Sequence, residues 1–229
     1  MANVDIARHF LCHVSLSPDG SRVAFLDRFF TPDGGLFTRM FVTDRDAREL
    51  TLIAQEGVSH FDWIDNDTIV VWTRFTMGLA NARSSGKLNS PFIKPLLVIA
   101  RRFRGKWKKR LMAEAYYRIP VENPKSKSRY GWPALNWDGH PMVGRSNGWM
   151  VTDFYPDREN RLPVIVYNPE RNVRTDVHWF THHPRSSDTD VKCDLHPRWN
   201  RAESLVAVDT CEAGYRQVRV LDVSDIVRA

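Results

Sequence analysis

Four segments of the chain begin on a histidine and then repeat one order of residue types, which limits the fold more than any other feature of the sequence. They read His13-Val-Ser-Leu-Ser-Pro-Asp-Gly20, His60-Phe-Asp-Trp-Ile-Asp-Asn-Asp67, His140-Pro-Met-Val-Gly-Arg-Ser-Asn147 and His196-Pro-Arg-Trp-Asn-Arg-Ala-Glu203. In each, an apolar residue (Leu16, Trp63, Val143 or Trp199) stands three places after the histidine. A polar turn follows; the proline and glycine of Ser17-Pro-Asp-Gly20 suit a tight one. A run rich in β-branched and aromatic residues comes next, as a second strand requires. Third strands are legible in three units, at Leu36 to Val42, Leu162 to Tyr167 and Arg216 to Leu221. A supersecondary unit repeated at this period is the signature of a β-propeller, whose blades take roughly 40–50 residues each. The histidines are 47, 80 and 56 residues apart. The first spacing fits one blade, the last fits with a longer loop, and the middle one demands an insertion. A flat β-sandwich also has many short strands, but it does not predict the same residue at the head of every unit.

The sequence therefore predicts an all-β chain, one propeller domain over residues 1–229 with four recognisable blades and an insertion at about 76–134. The insertion holds the charge. The chain carries a formal +6, yet no acidic residue lies between Asp67 and Glu114, where eleven Lys and Arg residues fall. The rest of the chain has more acids than bases. Within residues 95–115, Leu96, Ala100, Phe103, Trp107 and Leu111 recur at steps of three and four, which predicts a basic amphipathic helix. Such a helix either packs on the propeller with its bases solvated or touches a membrane surface. Nucleic acid is not an expected partner, because no stacking aromatics are interleaved with the bases across a sheet.

Equivalent positions on the innermost strands of a propeller lie at equivalent heights around the channel. His13, His60, His140 and His196 are thus expected to converge at one mouth. Ser15, Asp62, Met142 and Arg198, two residues on, point the same way; of these, Asp62 and Arg198 are the candidate substrate-binding groups. Imidazoles with Asp62 and Asp194 at one level make a candidate divalent-metal site. The alternative is that each histidine only hydrogen-bonds a neighbouring blade. Asp153 and Asp209 end matching strands, Asp27 sits near the same place, and all three are read as turn caps rather than catalytic groups. Trp132, Trp137 and Trp149 are read as buried between blades, with stacking on sugars as the alternative, and His182-His183 as part of a solvated loop, with a metal clip as the alternative.

The Ser-Pro-Asp-Gly turn resembles the repeats of TolB-type propellers. Asp138-Gly-His-Pro141, Thr152-Asp-Phe-Tyr-Pro-Asp157, Cys193-Asp-Leu-His-Pro-Arg-Trp199, Tyr215-Arg-Gln-Val218 and Val58-Ser-His-Phe-Asp-Trp63 resemble the oligogalacturonate lyase-like propellers. The likeness covers roughly residues 10–75 and 135–227. It implies a seven-bladed ring of which this chain supplies a C-terminal portion, unless the chain forms a small ring or completes one with a second copy as a homo-oligomer. It implies a divalent cation, manganese above all with calcium or another divalent ion as alternatives. The ligands it points to are His140 and His196, then Asp194, His60, His13 and Gln217. Asp194 stands where the cleaving members have a histidine; a carboxylate there suits manganese. The implied activity is β-elimination on acidic oligosaccharides, with Arg198 the nearby candidate for the base. The alternative function is a non-catalytic scaffold that binds a saccharide or a protein partner.

The first eight residues lack the charged head and apolar core of a signal peptide. Three cysteines, Cys12, Cys193 and Cys211, do not make a disulfide framework. A cytoplasmic location is the expectation.

Overall fold

The computed structural model describes residues 9–30, 36–55, 57–74, 114–182 and 193–228. Their strands form four antiparallel sheets, each read in chain order. Blade 1 holds β1 (His9–Leu16), β2 (Arg22–Phe30), β3 (Leu36–Asp44) and β4 (Leu50–Gln55). Blade 2 holds β5 (Phe61–Trp63), β6 (Thr68–Thr73), β7 (Ala115–Pro120) and β8 (Ser128–Arg129). Blade 3 holds β9 (Met142–Val143), β10 (Met150–Thr152), β11 (Arg161–Asn168) and β12 (Val173–Thr181). Blade 4 has three strands, β13 (Arg198–Trp199), β14 (Leu205–Thr210) and β15 (Gln217–Asp222), followed by a single helical turn, α1 (Ser224–Val227). This is a four-blade propeller arrangement.

The blades pack face to face because their strands are apolar on both faces. In β6, Ile69 and Val71 meet blade 1, packing with Leu26, Met40 and Val42. Val70 and Trp72, pointing the other way, meet Met150, Ile165 and Tyr167 of blade 3. Val164 and Val166 of β11 then face Leu195, Val206 and Val208 of blade 4. This explains why the central strands read as continuous apolar runs rather than alternating ones. Among the described residues, no core cluster joins blade 4 to blade 1.

Side chains also bolt the seams. The Asp62 carboxylate accepts from the amide of Val143 at 2.8 Å and pairs with the Arg145 guanidinium, tying blade 2 to blade 3. Glu203, held at φ 51°, lowers its carboxylate onto the backbone amides of Arg145, Ser146 and Asn147 and ties blade 3 to blade 4.

The predicted insertion is shorter than the sequence suggested. Residues 115–120 and 128–129 are the third and fourth strands of blade 2, so the segment from Glu114 onward belongs to the propeller. Ala115, Tyr117 and Ile119 face blade 1, while Tyr116 faces blade 3. That two-residue alternation was masked by the basic, helix-spaced stretch before it. The amphipathic helix assigned to residues 95–115 falls outside the described residues except for its last two, and Ala115 begins a strand rather than ending a helix. The only α-helix among the described residues is α1. No described helix is long and apolar enough to cross a membrane.

Candidate metal centre

Each blade-head histidine stands just before its innermost strand or within it, and the four rings form a row. Ring centroids lie 6.2 Å apart for His13 and His60, 4.2 Å for His60 and His140, and 4.0 Å for His140 and His196. His13 interrupts the β1–β2 ladder with a bulge. His13 and His196 both occupy the left-handed region, at φ 54° and 43°. L-residues seldom adopt it, and such strain tends to collect at functional sites.

His140 is the most firmly built. Its Nδ1 donates to the Asp153 carboxylate at 2.8 Å, and its backbone amide donates to the same group at 2.7 Å. Asp153, 2% exposed, also accepts from the amide of His196 at 3.2 Å. One carboxylate beneath the row thus fixes two of the histidines. A carboxylate can only accept, so it holds His140 with the proton on Nδ1 and leaves Nε2 as the ligand atom. The preceding Gly139 is required by space, since a Cβ there would sit 1.8 Å from the carbonyl oxygen of Asp153. From the other side, the Tyr116 hydroxyl donates to the Gly139 carbonyl at 2.8 Å and accepts from the Gly139 amide at 3.1 Å.

His140, Asp194 and His196 each bring one ligand atom to within 4.8 Å of the others. They are the one such cluster of histidines, cysteines and carboxylates among the described residues. Two imidazoles and a carboxylate make a mixed nitrogen and oxygen donor set, which suits manganese, iron or zinc and leaves room for water or a ligand. Burial alone would lower the pKa of His140, but the Asp153 hydrogen bond and charge, with Asp194 and Asp138, raise it. Burial and the neighbouring His140 lower that of His196. Burial, Arg28 and the other three imidazoles lower His13 to about 4.

The remaining candidates sit around this centre. His60 continues the row, its Nδ1 facing Asp138 at 3.1 Å and Ser59 at 2.9 Å. Arg198 lines a cavity of about 210 Å³ with His196, Ala207, Asp209 and Val218, and one guanidinium nitrogen donates to the carbonyl of Pro197 at 2.9 Å. Gln217 opens the third strand of its blade, opposite Thr210, with a buried Oε1 that has no hydrogen-bond partner. Asp62 is turned into the seam between blades 2 and 3.

Several readings of the sequence change. Asp153 is a buried support for two histidines rather than a turn cap. Asp27 is also buried, and is held by His9 and Arg39. The signal was present for Asp153, which directly follows a strand next to a histidine-bearing one, whereas Asp27 lies inside β2 rather than at its end. Trp132 and Trp137 are exposed, not buried between blades. His182 is buried, its Nδ1 4.0 Å from the Cys211 sulfur, whereas His183 lies outside the described residues. Tyr155 was not singled out by its side chain, yet its ring lies 6.2 Å from that of His60 and 5.9 Å from that of His140.

No protein-family profile matches the chain, and no curated protein matches it by sequence. Solved structures do. An oligogalacturonate lyase in complex with manganese superposes with a TM-score of 0.54 at 13% identity, over 95% of this chain and 51% of that one. The fold is that of these propellers. TolB from Acinetobacter baumannii gives a TM-score of 0.52 at 10% identity, over 94% of this chain and 52% of TolB. A putative TolB from Agrobacterium tumefaciens gives 0.51 at 10% identity, over 94% of this chain and 59% of that one. The chain spans about half the length of the lyase and of the Acinetobacter TolB.

Proposed function

We propose that this propeller holds a divalent cation, manganese in the first instance, through His140, Asp194 and His196, and that it binds acidic oligosaccharides there. The observation that carries the proposal is the convergence of those three ligand atoms above the buried Asp153. The likeness in fold to a manganese-bound oligogalacturonate lyase supports the choice of ligand class. When bound, the cation would polarise the carboxylate of a uronate and stabilise charge that develops next to it. Asp153 keeps the His140 lone pair directed at the site, and the exposed fork of Arg198 matches a second carboxylate of the sugar chain.

The reaction suited to such a site is β-elimination. A base removes the proton on C5, the C4–O bond breaks, a C4=C5 double bond forms, and the departing saccharide takes up a proton. Arg198, beside His196, is the residue we assign to the base, a role that requires its neutral form and replaces the carboxylate contact in that step. The test is incubation with saturated oligogalacturonates, with and without manganese. Manganese-dependent binding with a rise in ultraviolet absorbance supports both parts. Binding without the rise leaves a non-catalytic saccharide-binding scaffold, and no manganese-dependent binding overturns the proposal.

A further inference from the structure

Next to the histidine row lies a cavity of about 380 Å³, lined by Trp72, Glu114, Trp137, Asp138 and Tyr155 among others. Its size is that of a site for a small ligand. Two of its walls adjoin the candidate metal centre. Asp138 faces His60 Nδ1 at 3.1 Å, and Tyr155 packs near both His60 and His140. Trp72 is buried and edge-on to Tyr116, so its wall is fixed. Trp137 and Tyr155 are 53% and 44% exposed and present ring surface at the opening.

The charges narrow what fits. Glu114 pairs with Arg74 at 3.5 Å, and Asp138 lies against His60. Each carboxylate already has a partner, Arg74 or His60, which weakens the negative field that would select a bare cation without cancelling it. A uronate would still bring its own carboxylate against two others, which is unfavourable in a partly desolvated site. An uncharged sugar ring meets neither difficulty. Its C–H face is apolar and can lie on the Trp137 or Tyr155 ring, while its hydroxyls donate to the oxygens of Glu114 and Asp138. Burial and the Asp138, Asp194 and Asp153 carboxylates push Tyr155 up to about 12, so its hydroxyl remains a donor at neutral pH.

We infer that this cavity is a subsite for a neutral sugar ring adjoining the acidic unit at the histidine row, so that the saccharide recognised carries a neutral residue next to its uronate. The inference rests on the proposed function for the position of the acidic unit, and on the cavity's own walls for the neutral one.

The experiment is calorimetric titration of the full chain with manganese present. The probes are galacturonic acid, digalacturonate, a disaccharide of one uronate and one neutral hexose, and a neutral disaccharide. The mixed disaccharide is expected to bind about tenfold tighter than digalacturonate, the scale of one stacking contact plus relief of like-charge repulsion. Trp137→Ala is expected to remove that advantage and leave galacturonic acid binding unchanged. Glu114→Gln, which keeps the shape of the wall, is expected to narrow the gap by strengthening digalacturonate. Equal affinities in the unsubstituted protein, with a ratio that neither variant moves, would overturn the subsite. So would displacement of the mixed disaccharide by tetramethylammonium at lower concentration than by the neutral disaccharide. Absence of manganese-dependent galacturonic acid binding would instead overturn the proposed function; Trp137-dependent binding of the neutral disaccharide would then still support the subsite.

Discussion

The carboxylate of Asp153 receives both the backbone amide and the Nδ1 proton of His140, at 2.7 and 2.8 Å. Charge and orientation are coupled through that contact. Asp153→Asn keeps the size of the side chain but removes the charge. A supporting carboxylate of this kind is worth roughly 10- to 100-fold in metal affinity, so manganese binding should weaken by that order. The pH dependence should move as well. Metal must displace any proton on His140, whose pKa is raised, so manganese affinity in the unsubstituted protein should climb with pH above 6.5. Without the Asp153 charge, His140 loses its proton at lower pH and the climb should begin earlier. Titration of manganese at several pH values checks both effects.

Asp194 supplies the one oxygen ligand of the cluster. Asp194→His would convert the donor set to three imidazoles, which favours zinc over manganese. Competition between the two ions, read as metal content after dialysis, should shift toward zinc by about tenfold or more on that ligand preference. His140→Ala combined with His196→Ala should abolish bound metal. Retention of the metal by that double variant would place the site elsewhere.

Much of this was legible in the sequence, for reasons specific to the repeat. The histidine, the apolar residue three places on and the polar turn recur because each blade must solve the same packing problem. They therefore gave the inner strands and the convergence of His13, His60, His140 and His196. The fourth strands, such as β4 and β8, carry no such grammar; each is the last strand of its sheet and pairs on one side only. β7 went unseen because Tyr116 and Tyr117 follow a long basic stretch of helical spacing. Asp153 was visible only as the end of a strand. Which of the three aspartates supports a blade-head imidazole is decided by the fold, which turns Asp27 toward His9 and Arg39 and Asp153 under His140.

The lowered pKa of His13 contributes to the acid limb of stability. Above pH 6.5 both folded and unfolded His13 are neutral; as pH falls from 6.5 toward about 4, only the unfolded chain takes the proton. Stability should therefore decline across that window. The side chain of His13 retains contact with solvent, which screens the effect, so the slope rather than its size is diagnostic. His13→Gln should flatten the decline. His140 acts in the opposite sense: its contribution is complete below pH 6.5 and is lost as pH rises through its raised folded value. Urea midpoints measured from pH 4 to 8 separate the two.

Glu203 tests the seams. Its carboxylate is the acceptor for three successive amides of the β9–β10 turn. Glu203→Ala removes that acceptor and leaves the strained φ of 51° in place. A loss of about 2 kcal/mol is expected from unpaired amides at a partly buried turn, with Glu203→Gln recovering part of it. Chemical denaturation measures the difference.

Leu16 and Trp63 occupy the same place in their repeats, three residues after the blade-head histidine, yet Leu16 is 60% exposed and Trp63 is fully buried. The packing explains the contrast. Trp63, Val143 and Trp199 each face the preceding blade, and among the described residues blade 1 has none before it. Val218 and Val220 on β15 are exposed at the opposite end for the same reason. Trp63→Ala should cost about 3–5 kcal/mol, the range for removing a large buried aromatic. Leu16→Ala should stay within about 0.5 kcal/mol if its face is open in solution. A cost for Leu16→Ala nearer that of a core residue, made larger by raising protein concentration, would mean that a second copy seats against blade 1 where a preceding blade would lie. Sedimentation of the same samples distinguishes that outcome, because a ring completed by association would double the mass while an open face would not.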